Sequence, residues 1–453
     1  MKKNLNKYFG GLSIFQSRYF TDSTRFNLYI FFVYAVRTVY CLFVIDPHSG
    51  QDAPSYYEDS EIVLNEGPLA QVSYAPIWPI GYTWFMALIW RVGGLDSRLL
   101  GFVQSTLVLI ATFALYQLVK REINKQVAMI STVLVTTSFA IFVSSGEIMY
   151  ETPMMSLFLI GLNFISKFSL DEKQSRKSAL LGGAFLALSI LIHPSILGPV
   201  VISLIVILGR LIKRKSQFIT LILVGLIVLT APAINTMRNY ISGDGLGYTG
   251  NIYTISTFSG WGSQDPDQLK ICNDKGVKIT SKALIDKDWF YDSSPRQICL
   301  YKIALDHPRA SLDIAIRNGI RWVSPYIGVL KSNGTWYHGL DIRRLASEYH
   351  WWEGNARVVD TVLCSLWILM HVSLMLFGSF LLWRKRGLLQ LKDRFTPYLF
   401  ILPVFTKWAT SIFTHGDSRH RLGVSPLYLT LVSISIFYIW TKAQANYSRK
   451  SLS

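Results

Sequence analysis

Three acidic side chains stand where apolar blocks of the sequence give way to polar segments. Asp52 lies a few residues past the first apolar block, in SGQDAPSYYEDSEI, and Glu147 and Glu151 lie between two later blocks, in SSGEIMYETPMM. A carboxylate at such a boundary can act as a general base towards a hydroxyl group or hold a metal ion. Glu147 and Glu151 are four residues apart and share one face if the segment is helical. A turn that only faces water is the alternative.

The acids that follow Asp52 favour a plainer interpretation. Glu58, Asp59 and Glu61 are predicted to lie on the solvated face of a short helix. Asp52 therefore stands apart as the candidate general base of this region.

Cationic side chains gather in the later polar segments. Arg419, His420 and Arg421 follow Asp417 in GDSRHRLGVSPLY, and Arg238 closes the block PAINTMRNY. Guanidinium groups bind phosphate oxygens through two parallel hydrogen bonds. The cluster therefore predicts a phosphate-binding site, with ordinary contact between these side chains and lipid head groups as the alternative.

His193 is a further candidate phosphate ligand. It precedes Pro194 at the tip of LSILIHPSIL, where proline ends a helix. A hydrogen-bonded structural histidine is the alternative. Acids from early segments and cations from late ones suit attack on an anomeric carbon whose leaving group is a phosphate, since a base deprotonates the acceptor while cations stabilise the departing phosphate. The sequence contains no phosphate-binding loop, no Ser-x-x-Lys or Gly-x-Ser-x-Gly motif and no Cys-x-x-Cys metal motif.

Membrane-spanning helices must position these residues. Charged residues make up 16% of the chain, against roughly 25% in soluble domains, and the apolar residues fall in repeated long blocks that exclude a soluble core. We predict an all-α polytopic membrane protein with about ten transmembrane helices, interfacial helices and an external loop domain. The predicted spans are 26–45, 98–119, 127–144, 153–167, 178–193, 195–212, 217–236, 357–383, 396–414 and 422–440.

Lysine and arginine in the short loops predict the orientation. If there are ten spans, more than half of the 45 basic residues fall on one side, in the segments before 26 and at 120–125, 167–177, 210–215, 384–394 and 442–450. We therefore expect both termini in the cytoplasm of a bacterial cell, with the protein in the inner (plasma) membrane. No cleavable signal peptide is evident, so the first span is expected to remain as an anchor. The net charge of +17 then reflects topology and contact with membrane lipids, not nucleic acid.

The predicted organisation has three parts. Residues 1–236 form an N-terminal transmembrane bundle with a catalytic external loop at 46–97, residues 237–356 an external domain, and residues 357–453 the last transmembrane helices. The external domain contains an amphipathic segment, Asp306 to Val323, in which Leu312, Ile316 and Ile320 share one face. A disulfide between Cys272 and Cys299, both in the external domain, is left open.

The block Pro79 to Val92 is expected to lie at the outer membrane interface. Its 14 residues form a helix of about 21 Å, shorter than the roughly 30 Å of the hydrocarbon core. Counting it as a span would also place Lys120 and Arg121 on the external side.

These motifs together resemble the GT-C superfamily of membrane glycosyltransferases, especially the branch with protein O-mannosyltransferases and the lipid A aminoarabinose transferase. The resemblance extends over nearly the whole chain through several short motifs. They are Asp52-x-x-x-Tyr56 with Gly67, Trp78-Pro79-x-Gly81-Tyr82 with Gly93-Gly94, Glu151, His193-Pro194, Pro232 with Arg238-Asn239-Tyr240, and Asp417-x-Arg419-His420-Arg421 with Pro426. The chain departs from the family at His193, where Arg or Lys is frequent, and at Asp417 and His420, where Glu and Tyr are usual.

The resemblance implies an inverting glycosyltransferase with a polyprenyl-phosphate-linked sugar donor and Asp52 as general base. Tyr56 and Tyr82 are then substrate-binding candidates, and the acceptor is a lipid, glycan or protein. No cofactor and no required metal are predicted. The alternatives are a transporter or flippase of a lipid-linked sugar, which internal repeats with broken helices would favour, and a surface polysaccharide polymerase or ligase, which uses similar substrates.

Overall fold

The computed structural model describes eleven stretches of the chain: residues 23–49, 52–72, 80–170, 176–212, 214–242, 305, 308–323, 329–330, 336–337, 355–413 and 418–450. Most of the predicted external domain, including Cys272 and Cys299, lies outside them. Cys364 lies in a described helix, but its side chain is outside the described set.

The described residues are helical apart from turns and one antiparallel pair of two-residue strands, β1 (Val329–Leu330) and β2 (Trp336–Tyr337). The helices are α1 (Ser23–Phe43), α2 (Ala53–Glu66), α3 (Ile80–Gly93), α4 (Ser97–Glu122), α5 (Lys125–Thr136), α6 (Phe139–Ser144), α7 (Glu151–Leu170), α8 (Arg176–Ile192), α9 (Leu197–Leu211), α10 (Lys215–Ile241), α11 (Pro308–Val323), α12 (Asn355–Arg384), α13 (Arg386–Leu389), α14 (Thr396–Phe413) and α15 (Ser425–Lys450). Short 3-10 turns occupy Pro47–Ser49, Pro194–Ile196 and Ser418–Val424.

The protein is an integral multi-pass membrane protein. Within the part of the chain that the structure describes, seven helices are long and apolar enough to cross a membrane: Thr24–Phe43, Ser97–Glu122, Glu151–Leu170, Pro194–Leu211, Gln217–Ile241, Leu366–Arg384 and Arg421–Tyr447. They coincide with seven of the ten predicted spans. The other three predicted spans correspond to shorter or interrupted helices, namely α5 with α6, α8 and α14.

The predicted span 127–144 is divided in two. Helix α5 ends at Thr136, and α6 begins only at Phe139. The Thr137 hydroxyl donates back to the Val133 carbonyl at 2.8 Å, and the Arg37 guanidinium donates to the Thr136 carbonyl at 3.3 Å. A cation on the last carbonyls of a helix stabilises its end, so a buried arginine of α1 accompanies the break.

The short helix α3 begins and ends close to the predicted bounds of the interfacial block. A tight turn follows it, with Gly94 at φ 78°, a conformation that favours glycine. The next helix, α4, begins after Asp96, whose side chain accepts from the Arg98 N–H at 2.8 Å. This cap fixes where α4 begins.

The bundle is built around α7, which packs against α4, α8 and the 3-10 turn 418–424. Helix α8 in turn packs on α10, α9 on α14, and α12 on α15. One large cluster of buried apolar side chains runs through these helices, so the bundle has a single continuous core.

A buried ionic network ties four helix ends together at one end of the bundle. Arg210 of α9 donates to both carboxylate oxygens of Glu122 at 2.9 Å and pairs with Asp393 at 2.6 Å. Thr396, at the start of α14, donates to Glu122 at 2.8 Å, and Ser166 of α7 also donates to Glu122. Four of the six basic segments predicted to share one side, namely 120–125, 167–177, 210–215 and 384–394, therefore contribute residues to this network.

Helix α11 coincides with the predicted amphipathic segment. Leu312, Ile316 and Ile320 are exposed, as an apolar face turned away from the bundle requires, whereas Asn318 and Trp322 are buried. The Asn318 amide donates to the Ile412 carbonyl of α14 at 3.1 Å. The arrangement suits a helix held against α14 with its apolar face towards lipid.

Replacing Arg210 with methionine should strongly destabilise the bundle. The change leaves the Glu122 carboxylate buried without its cation, which typically costs about 3–5 kcal/mol. The measurement is the midpoint of thermal unfolding of the purified protein in detergent. Arg384→Met, at an exposed position, is the matched control and should leave the midpoint unchanged. Equal midpoints for the two variants would contradict a stabilising role for the network.

Gly81→Ala tests how tightly α3 lies against α8. A β-carbon at Gly81 would fall on the Leu191 carbonyl oxygen, which is backbone and cannot swing away. We expect a loss of about 1–3 kcal/mol from this overpacking. Gly225→Ala in α10 is the control, because a β-carbon there meets no atom within 4 Å. A midpoint as high in Gly81→Ala as in Gly225→Ala would show that the two helices separate easily.

Candidate active site

Asp52 caps the start of α2. Its carbonyl accepts from the Tyr56 N–H at 3.2 Å, and its side chain is half-buried. Proline in the first turn of α2 suits a helix start, where its missing N–H costs nothing. Asp52 thus lies where the chain enters a helix, and its side chain makes no capping hydrogen bond to that helix.

Glu147 and Glu151 are both fully buried. Glu151 is the first residue of α7, where the helix dipole favours a negative charge. The turn before it is joined to the Asp52 segment, because the Ile148 N–H donates to the Pro47 carbonyl at 2.9 Å. The water-facing alternative for these two acids is therefore wrong.

Four stacked and edge-on rings connect these segments. Tyr56 of α2 contacts Tyr82 of α3 edge-on at 4.9 Å between centroids, and it contacts Tyr150 at 6.2 Å. Tyr150 stacks on His193 at 3.7 Å with an angle of 5° between the ring planes. The chain of rings brings the Asp52, Glu147–Glu151 and His193 segments to one place, which we name the aromatic–acid cluster.

Gln104 of α4 connects this cluster to the bundle through hydrogen bonds. Its amide nitrogen donates to the Glu147 carbonyl at 2.8 Å and to the Ser145 carbonyl at 3.2 Å. Its amide oxygen accepts from the Tyr82 hydroxyl at 3.1 Å. Because Gln104 is fully buried, these three bonds hold the acidic turn and Tyr82 in a fixed relation.

The electrostatics of Tyr82 keep its hydroxyl protonated. Burial raises the pKa of Tyr82 well above its ordinary value, and the nearby negative charge of Glu151 raises it further. The phenol is therefore a neutral hydrogen-bond donor at physiological pH, in keeping with a positioning or substrate-contacting role.

Two charged residues, Asp59 and Lys407, are buried although the sequence analysis did not predict their burial. Asp59, expected on a solvated face, is 1% exposed, because three residues after Tyr56 it lies on the buried face of α2. Lys407 of α14 is 2% exposed and donates to the Ser195 carbonyl at 3.1 Å. A lysine inside the apolar block 396–414 was a visible signal for a buried charge.

His193 has a structural contact of its own. It ends α8, and its Nδ1 accepts from the Ser195 N–H at 3.2 Å. This bond caps the 3-10 turn Pro194–Ile196, as the structural alternative required. The phosphate-contact role stays a prediction.

The turn 418–424 lies against the start of α7. Gly423 contacts Met154 and Ile196 so closely that a β-carbon would lie 2.7 Å from the Met154 methyl. The backbone of Arg419 and His420 belongs to this turn, although their side chains are outside the described set. The turn that carries the predicted cations therefore packs against the helix that Glu151 begins.

Arg421 and Arg238 each donate to a backbone carbonyl of another segment. Arg421 donates to the Trp322 carbonyl at 3.1 Å and lies over the Tyr428 ring at 5.2 Å. Arg238 is 2% exposed and donates to the Ala70 carbonyl at 2.6 Å. Arg421 thus anchors α11 and Arg238 the segment after α2, which leaves their predicted phosphate contacts untested. Within the described residues, no three His, Cys, Asp or Glu side chains are grouped so that they could hold a metal ion.

Comparison with solved structures gives distant likenesses. The oligosaccharyltransferase AglB from Archaeoglobus fulgidus, in complex with an inhibitory peptide and a dolichol-phosphate, matches with TM-score 0.46 and 11% identity over 94% of this chain and 52% of its own. ArnT from Cupriavidus metallidurans bound to undecaprenyl phosphate matches with TM-score 0.40 and 13% identity over 91% of this chain and 78% of its own. The chain thus spans about half the length of AglB.

Sequence comparison gives one family. No curated protein matches the chain, but residues 78–234, about a third of it, match the dolichyl-phosphate-mannose-protein mannosyltransferase family. The matched segment runs from α3 to α10 and includes Tyr82, Glu147, Glu151 and His193. This match confirms the resemblance that the motifs indicated: residues 78–234 are similar in sequence to the dolichyl-phosphate-mannose-protein mannosyltransferase family.

Proposed function

We propose that this protein transfers a sugar from a polyprenyl-phosphate donor to an acceptor on the external face of the membrane, with inversion at the anomeric carbon. The observation that carries the proposal is the aromatic–acid cluster, in which ring contacts join the helix that follows Asp52 to the turn that carries Glu147 and precedes Glu151, while α7 packs against the turn 418–424. Buried carboxylates at membrane depth are costly and are usually retained for function.

Asp52 is the general base in this proposal. It removes the proton of the acceptor hydroxyl while that oxygen forms a bond to the anomeric carbon. The bond between this carbon and the phosphate oxygen breaks, and polyprenyl phosphate leaves with the bonding electrons. Attack from the side opposite the phosphate inverts the configuration.

Glu147 and Glu151 orient the sugar, and Tyr56 and Tyr82 complete the substrate contacts. The Gln104 bonds to Tyr82 and to the acidic turn support this assignment, because a site must be rigid to hold a reacting geometry. The five predicted cations, Arg238, Arg419, Arg421, His193 and His420, are assigned to the donor phosphate. The packing of the turn 418–424 against α7 supports the assignment of Arg419 and His420 to the donor phosphate.

The proposed topology has about ten spans, both termini in the cytoplasm and an external domain between residues 237 and 356. The ionic network around Arg210 supports it, because the loops rich in basic residues meet at one end of the bundle. The first residues of α7 and α9 lie at the other end, where the acids are. We assign that end to the outer face of a bacterial plasma membrane, with no required metal.

Asp52→Asn tests the proposal. We expect sugar transfer to fall by about 10²–10⁴-fold, the usual contribution of a general base, with an unchanged midpoint of thermal unfolding. The assay follows release of undecaprenyl phosphate from undecaprenyl-phosphate-linked mannose, glucose and aminoarabinose, each supplied with bacterial envelope extract as the acceptor source.

Glu58→Gln is the matched control, since Glu58 lies on the exposed side of the same helix. It should transfer sugar at the wild-type rate. Full activity of Asp52→Asn would remove Asp52 from the mechanism. Wild-type protein that moves the intact lipid-linked sugar across a vesicle membrane without releasing undecaprenyl phosphate would replace the enzyme by a flippase.

A further inference from the structure

Arg37 of α1 is a buried cation that the proposed mechanism does not use. It lies in the second half of the helix and is 7% exposed. Within the described residues it forms no ion pair, and its Nη2 has no hydrogen-bond partner. A buried cation without an acidic partner is costly in a membrane helix and usually has a function.

Arg37 contacts both sides of the break between α5 and α6. Its Nη1 donates to the carbonyl of Thr136, the last residue of α5, at 3.3 Å. Its Cζ lies 5.3 Å from the ring centroid of Phe142 in α6, a distance typical of a cation–π contact. One guanidinium group therefore joins the two helices across the break.

Helix α6 needs such support, because it has only six residues. A helix this short is unstable by itself, and the side chain of Ser138 makes no capping hydrogen bond to it. Phe142 attaches it to α1 through two further contacts. The Tyr40 ring lies 4.8 Å from the Phe142 ring between centroids, and the Cys41 thiol donates to the Phe142 carbonyl at 3.5 Å. The direction of α6 is therefore fixed in part by the end of α1 that carries Arg37.

The chain passes from α6 directly into the acidic turn. The hydroxyl of Ser145, which follows the last residue of α6, lies 3.4 Å from the Cys41 thiol. A β-carbon on Gly146 would lie 2.9 Å from the Ile45 side chain, so the turn packs closely on the segment that follows α1. Glu147 is the next residue, and a shift of α6 would move its backbone.

The same end of α1 leads to Asp52. Helix α1 ends at Phe43, and the chain reaches Asp52 after the short 3-10 turn Pro47–Ser49. The candidate general base and the acidic turn are thus both attached to the end of α1.

We infer that Arg37 is a positioning residue, which holds α6 across the break and so fixes the position of Glu147 relative to Asp52. This inference rests on the proposed function, since it assigns both acids to the reaction. Arg37 acts through α6 and not on the reacting atoms.

The surroundings of Arg37 do not favour a purely structural role. Its side chain lines a small cavity together with Tyr34 and Ser105, and cavities lower stability. Arg210, by contrast, is matched to Glu122 by two short bonds. Replacing an unpaired buried cation with an apolar side chain removes the cost of its desolvation, so stability should not fall when Arg37 is replaced.

The test compares Arg37→Met with Arg37→Lys and with Arg25→Met, a control at an exposed arginine of the same helix. We expect Arg37→Met to lower kcat in the undecaprenyl phosphate release assay by about 10²-fold, as a misplaced group does, with the KM for the donor unchanged. Its midpoint of thermal unfolding should be no lower than that of wild type. Arg37→Lys keeps the positive charge and should recover most of kcat, whereas Arg25→Met should behave as wild type.

Hydrogen exchange shows where Arg37→Met acts. The backbone amides of residues 139–150 should lose protection in this variant, because α6 is no longer held to the end of α5. Those of α9 should exchange as in wild type. Phe142→Leu removes the ring that the guanidinium contacts, and it should give the same loss of protection and the same fall in kcat.

An unchanged kcat in Arg37→Met, with or without a raised donor KM, would overturn the positioning role. A midpoint as low as that of Arg210→Met would overturn it in favour of a structural one. If the wild-type protein releases no undecaprenyl phosphate from any of the three donors, the proposed function fails. The exchange experiment does not depend on turnover, so it alone still decides whether Arg37 holds α6.

Discussion

A charge that is buried in a membrane protein needs a partner, and this constraint shapes both ends of the bundle. Helix α7 has Glu151 at its first residue and Ser166 near its last turn. A helix rises 1.5 Å per residue, so these two positions are about 22 Å apart. One end carries the Glu122–Arg210–Asp393 network, and the other carries the aromatic–acid cluster. The rigid length of α7 keeps the two apart.

The two clusters satisfy the constraint differently. At the Arg210 end, the guanidinium makes short bidentate hydrogen bonds to the Glu122 carboxylate, which leave few acceptor positions for a ligand. At the Glu151 end, the buried carboxylates Glu147 and Glu151 lie in a turn and the helix start that follows it, and ring contacts join this turn to neighbouring segments. Dense mutual pairing suits a structural role, whereas buried carboxylates beside a turn whose backbone carbonyls bind Gln104 suit binding of a sugar, whose hydroxyl groups are donors.

The sequence predicted most of the elements because apolar blocks and caps are local features. Helix α3 and the amphipathic α11 both follow from spacing and composition. The break between α5 and α6 could not be predicted in this way. At this break the Thr136 carbonyl accepts from the Arg37 guanidinium, which is 99 residues away in the sequence. No short window of sequence contains both residues.

The same distinction separates the site residues that were recognised from those that were missed. The charge of Asp59 favours a solvent-exposed position, whereas its spacing from Tyr56 places it on the buried face of α2. Lys407 meets a carbonyl 212 residues earlier, and Gln104 meets a turn 43 residues later. Only the packing of α4, α7 and α14 brings these groups together.

The turn 418–424 brings the second half of the chain against the helix that Glu151 begins. Gly423 allows the turn to lie on Met154, one helical turn below Glu151. Any shift of α7 therefore moves the acid and the backbone that carries Arg419 together. A transferase must keep the group that orients the sugar and the groups that receive its phosphate at a constant separation during the reaction. Because Glu151 and the turn 418–424 both lie on α7, the helix itself can keep their separation constant.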